Sequence, residues 1–143
     1  MIFCKIDKQL VKIIEKEANG RLIVDCGAGE GQLQDLTHNI ISLDIRPVNK
    51  KVLQRDCTIF PFKENMMPIF IRPCHSGFVE DTLMNCYRTI KSALYISNPK
   101  NLQTDLGIFL KLAFIISEWV GEDAEERIYR IPFDPLLREN KEN

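Results

Sequence analysis

The stretch LIVDCGAGEGQL, Leu22 to Leu33, carries a short apolar run straight into Gly27, Gly29 and Gly31. Glycine inside a regular element costs up to ~1 kcal/mol relative to alanine. Three of them this close together mark a backbone that turns sharply or approaches something closely. Arg21 to Asp25 reads as a short buried strand, and the next apolar burst, NIISLDI from Asn39 to Ile45, reads as a second. Between them, Gln32 to His38 leaves room for a short helix that starts at the glycines.

Working outward, Asp7 can cap a helix that runs to Ala18, with Ile6, Leu10, Ile13 and Ile14 on its apolar stripe. Asn19-Gly20 stops it, because both residues tolerate the left-handed conformation that ends helices. Beyond the glycines, Lys51–Asp56 is a third strand and Met67–Pro73 a fourth, closed by a proline that cannot continue a central ladder. Phe78–Lys91 has helical periodicity, and Ser92–Pro99 is a fifth strand. Two β-rich runs around Gly121-Glu-Asp-Ala124 signal a hairpin. Strands alternating with helices predict an α/β domain with a mostly parallel sheet and an antiparallel C-terminal hairpin. Residues 1–137 read as one domain and 138–143 as a frayed polar tail.

Bulk composition is ordinary for a globular chain, with 45% hydrophobic and 27% charged residues and a net charge of −1. Nothing in it asks for nucleic acid or an anionic membrane. Five cysteines, an odd number with no CxxC pair, argue against a disulfide framework and for reduced thiols in a cytoplasm. His38 and His75 are the only imidazoles, and no zinc-ligand spacing is present, so no metal site is expected. The longest apolar candidate, Phe109–Val120, is interrupted by Lys111 and Glu118 and is too short to span a bilayer. The expected location is cytoplasmic.

In an open parallel sheet, ligands bind beyond the carboxyl ends of the strands, and the loop after the first strand is the usual place. The dinucleotide fingerprint G-x-G-x-x-G fails here. Counted from Gly27 it meets Gln32, and counted from Gly29 it meets Gln34. A phosphate-binding P-loop fails as well, since no Gly-Lys-Ser/Thr follows.

What the stretch does match is Asp-x-Gly-x-Gly-x-Gly, standing as Asp25-Cys26-Gly27-Ala28-Gly29-Glu30-Gly31. It resembles the first motif of the class I S-adenosylmethionine-dependent methyltransferases. The resemblance implies a Rossmann-like sheet of order 3-2-1-4-5-7-6, with S-adenosylmethionine as cofactor. It places the methionine half of the cofactor over Gly27, Ala28, Gly29 and Gly31, with Asp25 orienting the ammonium end. It puts the ribose hydroxyls on Asp44, which follows Asp25 at about the 20-residue spacing of a strand, short helix and strand. A carboxylate suits vicinal hydroxyls because it accepts from two donors. Read without the family, Asp44 is a strand-end turn residue. Ile45 adjoins it on the cofactor, and Asp56 with Cys57 meets the adenine edge.

The resemblance covers about Leu22 to Phe62 and thins afterwards. The end of the fourth strand, Ile71-Arg-Pro-Cys-His-Ser-Gly-Phe78, is not the Asn/Asp-Pro-Pro-aromatic motif of amino-methylating enzymes, which disfavours DNA. Arg72 falls at the cofactor's reactive edge, and His75 is the candidate catalytic base because imidazole is poised near neutral pH. The alternative is that both bond loop carbonyls or Asp81. The gaps from Asp44 to Asp56 and from Ser97 to Ile108 are too short for full helices at ~1.5 Å per residue, so helices are shortened or absent there. An uncovered sheet face would suit a homodimer or a partner protein. The expected activity is methyl transfer to an acceptor, a small molecule or protein, that the sequence does not identify. The other reading is a non-catalytic cofactor-binding module.

Overall fold

Helix α1, Lys8–Ala18, is amphipathic: Val11, Ile14 and Ala18 are buried while Lys8, Lys12, Glu15 and Lys16 face water. It stops at Asn19 and Gly20, whose φ angles of 48° and 85° are both left-handed. Arg21 then satisfies the last turn, donating from Nε to the Ala18 carbonyl (2.9 Å) and from Nη2 to the Glu17 carbonyl (2.6 Å). A guanidinium on exposed helix-end carbonyls also complements the helix dipole.

The computed structural model describes residues 8–70, 81–82, 85–86, 94–97, 114–120 and 125–131. Its strands are β1 (Leu22–Cys26), β2 (Ile40–Asp44), β3 (Leu53–Gln54), β4 (Met66–Phe70), β5 (Leu94–Ser97), β6 (Phe114–Val120) and β7 (Glu125–Ile131). They form one sheet in the order β3-β2-β1-β4-β5-β7-β6. The pairs from β3 through β5 are parallel, while β7 runs antiparallel to both β5 and β6. This is an α/β Rossmann-like sheet, as the alternating pattern predicts. The proposed cap at Asp7 and the polar tail lie outside the described residues, as does most of the Phe78–Lys91 helix, of which Asp81–Thr82 and Asn85–Cys86 are helical.

Two elements are smaller than the sequence suggests. The segment after the glycines is a single 3-10 turn, Gln32–Asp35, rather than a helix filling the gap to His38. The third strand is two residues rather than six. No helix occupies 45–52, as the short spacing requires. Even so, Ser42 and Leu43 of β2 are buried.

Register explains which face each residue serves. Ile23 is level with Ile40 and Met67, and Asp25 with Ser42 and Ile69, so these share one face of the sheet. On that face Ile23, Met67 and Ile69 pack with Val11, Ile14 and Ala18 of α1 and with Leu33 of the 3-10 turn. Val24 and Cys26 point to the other face and are equally buried, so β1 is covered on both sides. Pro68 lies within β4 opposite Val24, where it offers no N–H to the ladder.

Ile23→Ala removes a fully buried side chain at the α1–sheet contact and is expected to cost about 3 kcal/mol of unfolding free energy in urea. Ile13→Ala, on the 40%-exposed side of the same helix, should change it by less than about 0.5 kcal/mol. Equal losses would contradict this placement of the core.

Candidate functional site

The three glycines all adopt left-handed backbone, with φ of 69° at Gly27, 59° at Gly29 and 74° at Gly31. An L side chain meets that region at a cost of roughly 1–2 kcal/mol. The backbone of the loop is tied to β2 at two successive residues and then to itself. Ala28 N–H donates to the Leu43 carbonyl (2.9 Å), Gly29 N–H to Asp44 Oδ2 (2.9 Å), and Gly31 N–H to the Ala28 carbonyl (3.0 Å). The Gly31 carbonyl accepts from Gln34 N–H (3.1 Å), which starts the 3-10 turn. At Gly31 an added Cβ would stand 3.0 Å from Val52 Cγ2 and 3.3 Å from Lys51 Cε, so the position also lacks room.

These bonds decide what the loop can hold. A phosphate loop keeps its N–H groups free and aimed at the anion. Here three of them donate inward. The neighbouring charge is also wrong for an anion, because Asp25 at the end of β1 is buried at 2% exposure and Asp44 closes β2. Parallel register puts Asp25, Ser42 and Asp44 on the same face. Asp44 is half-buried, and its second oxygen, Oδ1, accepts from Arg46 N–H (2.9 Å). Each oxygen therefore takes one backbone donor, and a carboxylate has about four lone-pair sites. Capacity remains for two further donors. Ile45, next in sequence, is exposed beside it.

Asp56 follows β3 and closes a tight turn, Oδ1 accepting from Thr58 N–H (3.0 Å) and Thr58 Oγ1 (2.6 Å). Cys57 sends its thiol into the core, so any group it presents to a ligand is backbone. Its carbonyl accepts from Asn85 Nδ2 (3.1 Å), and the same amide reaches the Phe60 carbonyl (2.7 Å). Asn85 thereby clasps the 57–60 turn to the helical residues 85–86. Phe60 and Phe62 stack edge to face at 5.0 Å beside it.

Cys26, Cys57 and Cys86 are all buried, and none is in a disulfide. Burial pushes the Cys26 thiol well above its ordinary range, reinforced by a hydrogen bond with Cys57 and by the nearby Cys57, Cys86 and Asp25. Burial likewise raises Cys86, with Cys57 adding to it. A protonated, buried thiol is a poor nucleophile and behaves as a small apolar residue. These three join the end of β1, the turn after β3 and the 85–86 helical turn.

The structure thus brings together Asp25, Gly27, Ala28, Gly29, Gly31, Asp44 and Ile45 at the carboxyl ends of β1 and β2, while Asp56 and Cys57 lie in the turn after β3. Arg72 and His75 lie outside the described residues. No group of three or more metal-ligating side chains occurs among the described residues, and no described helix is long and apolar enough to cross a membrane.

No protein-family model and no curated protein matches the sequence. Among solved structures, the chain is similar to one described as "Putative methyltransferase yhhF from Escherichia coli", with a TM-score of 0.54 and 14% identity over 93% of this chain and 90% of that one. The fold is methyltransferase-like. At that identity the likeness speaks for the fold alone, and the glycine loop with Asp44 occupies the place where such sheets bind ligands.

Several contributors to this site carry no motif. Gln34 enters the sequence reading only as a residue that spoils the dinucleotide fingerprint, yet its Nε2 donates to Ser42 Oγ and to the Lys51 carbonyl, both at 2.8 Å. Asn49 donates to the Glu30 carbonyl (2.8 Å). Asn85 and the thiol cluster escape notice because they come from separate segments and converge only in the fold.

Gly20 and Gly31 are both left-handed, but nothing lies within 4 Å of a Cβ added at Gly20. Gly20→Ala should therefore cost about 1 kcal/mol in chemical denaturation and Gly31→Ala distinctly more, since only the second also displaces Val52.

The raised thiols give a pH signature. Unfolded thiols ionise near pH ~8.5, while folded Cys26 and Cys86 keep their protons above it. The folded state then binds more protons than the unfolded, so stability is level below that pH and falls as pH rises beyond it, by up to ~1.4 kcal/mol per unit per thiol. Cys86→Ala should flatten that fall between pH 8.5 and 10, as read from urea midpoints; an unchanged slope would mean the thiol ionises as readily folded as unfolded.

Proposed function

We propose that the chain binds S-adenosylmethionine at the glycine loop and transfers its methyl group to an acceptor, a small molecule or protein in preference to DNA. The observation that carries this reading is Asp44. It closes β2, holds Gly29 through one oxygen and Arg46 through the other, and keeps lone pairs for two vicinal hydroxyls. The inward-donating N–H groups of the loop and the acidic Asp25 support a cationic, phosphate-free ligand over a dinucleotide. The strand order and the antiparallel β6–β7 pair agree with the sheet such enzymes use. So does the methyltransferase-like solved structure.

In this reading Gly27, Ala28, Gly29 and Gly31 form the floor under the methionine portion, and Asp25 supplies negative potential toward its ammonium group. Ile45 offers an apolar surface beside the ribose, and the 56–57 turn lies toward the adenine. When bound, the cofactor supplies a sulfonium methyl that is already electrophilic. The protein's task is therefore alignment of acceptor and methyl carbon, with a base required only where the acceptor holds its proton tightly. His75 is proposed as that base and Arg72 as a group at the reactive edge. A partner or second copy against the sheet, and a cytoplasmic location, belong to the same proposal.

A second reading, a cofactor-binding module without turnover, draws on the small size of the β1–β3 half, where a single 3-10 turn and a helix-free strap stand in the β1–β2 and β2–β3 connections. Calorimetry separates the possibilities. The chain should bind S-adenosylmethionine and not a nicotinamide dinucleotide, and Asp44→Ala should weaken binding by roughly tenfold or more, the loss of two hydrogen bonds to a charged acceptor. Dinucleotide binding alone would overturn the proposal. Release of the demethylated cofactor in the presence of an acceptor panel, reduced in His75→Ala, would distinguish enzyme from module.

A further inference from the structure

The β2–β3 connection replaces a helix with a strap, and the strap reaches back onto the glycine loop at several points. Asn49 sits on its exposed turn and is held there by Lys51 N–H, which donates to Asn49 Oδ1 (3.1 Å). The other end of the same amide, Nδ2, donates to the Glu30 carbonyl at 2.8 Å. Glu30 lies between Gly29 and Gly31, so this bond lands on the middle of the loop. Two residues further along the strap, the Lys51 carbonyl accepts from Gln34 Nε2, which also holds Ser42 of β2. Val52 is buried and packs where Gly31 has no side chain. The Lys51–Asp35 ion pair at 3.6 Å is exposed and adds little.

A loop of left-handed glycines has unusual conformational freedom, and ordering it on ligand binding costs entropy unless the protein orders it beforehand. The bonds from Leu43 and Asp44 fix the side of the loop that faces β2. The Glu30 peptide has its carbonyl fixed by Asn49. We infer that Asn49 is a positioning residue for the ligand loop, acting through the Glu30 carbonyl to preset the Gly29–Gly31 backbone, with Gln34 anchoring the strap that carries it. This rests on the reading of the loop as the S-adenosylmethionine site. A merely structural role would show as lost global stability, whereas positioning shows as loop mobility and weakened binding in a chain of unchanged stability.

The decisive variant is Asn49→Asp. It keeps the acceptor for Lys51 N–H, removes the donor to Glu30, and sets a carboxylate oxygen against a carbonyl oxygen. Asn49→Asp and Asn49→Ala should each weaken S-adenosylhomocysteine binding by about tenfold, the scale of one lost hydrogen bond together with the added cost of ordering the loop on binding. Both should speed amide exchange at Gly29 and Gly31 and leave the urea midpoint where it is. Lys50→Ala, on the same exposed turn, should alter none of these. Wild-type affinity and wild-type loop exchange in Asn49→Asp would overturn the inference, and so would losses that merely follow a lowered midpoint. If the unmodified chain fails to bind S-adenosylhomocysteine, the functional reading falls. The exchange measurement in the ligand-free protein then still decides whether Asn49 holds the loop: faster exchange sustains the bracing, and unchanged exchange removes it.

Discussion

The hydrogen bond from Gly29 N–H to Asp44 Oδ2 joins the end of one parallel strand to the loop that leaves its neighbour. Parallel strands pair through their ladders, but nothing in a ladder dictates how the chain leaves them at the carboxyl end. This bond does. It requires Gly29 in left-handed backbone and a carboxylate at the last position of β2. It also needs the register that sets Asp25 beside Ser42 and Cys26 beside Leu43, so that Asp44 extends one residue past the end of β1, level with the loop. A charged acceptor makes the bond stronger than a neutral one. The inward Ala28 bond and the bracing by Asn49 and Gln34 complete a loop whose shape is set before any ligand arrives.

Much of this was legible in the sequence because it depends on local chemistry. Asn19-Gly20 ended α1, and the apolar runs before Gly27 and Asp44 became β1 and β2. The failure of the dinucleotide spacing at Gln32 and Gln34 agrees with the inward N–H groups, two independent signs pointing away from phosphate. The 3-10 turn and the two-residue β3 were less legible. Helical and strand periodicity give an element's type, but its length depends on what packs against it.

The residues that hold the site together were legible least of all. Gln34, Asn49 and Asn85 are ordinary amides, and each donates to a backbone carbonyl of another segment, Gln34 also holding the Ser42 hydroxyl. An amide suits that role because it carries donors and an acceptor without charge. The three buried thiols are similar. Nothing in the spacing of Cys26, Cys57 and Cys86 groups them, and only the packing of three separate segments does so. All three are buried, and burial first holds the Cys26 and Cys86 thiols in their protonated form, which suits apolar filler under the site better than reagents in it.

β1 is paired on one side with β2, close to it in sequence, and on the other with β4, which arrives only after β3 and the 56–65 turn. Loop closure rewards the near pairing first. In chain order, both partners of the Gly29–Asp44 bond precede β4, so the other edge of β1 has no partner strand until Met66–Phe70 has been made. An open edge on a strand with Ile23 and Val24 is a place where the nascent chain is exposed to mispairing with other chains. The strand that leads into the glycine loop is then also one that the nascent protein has to keep from the wrong partner.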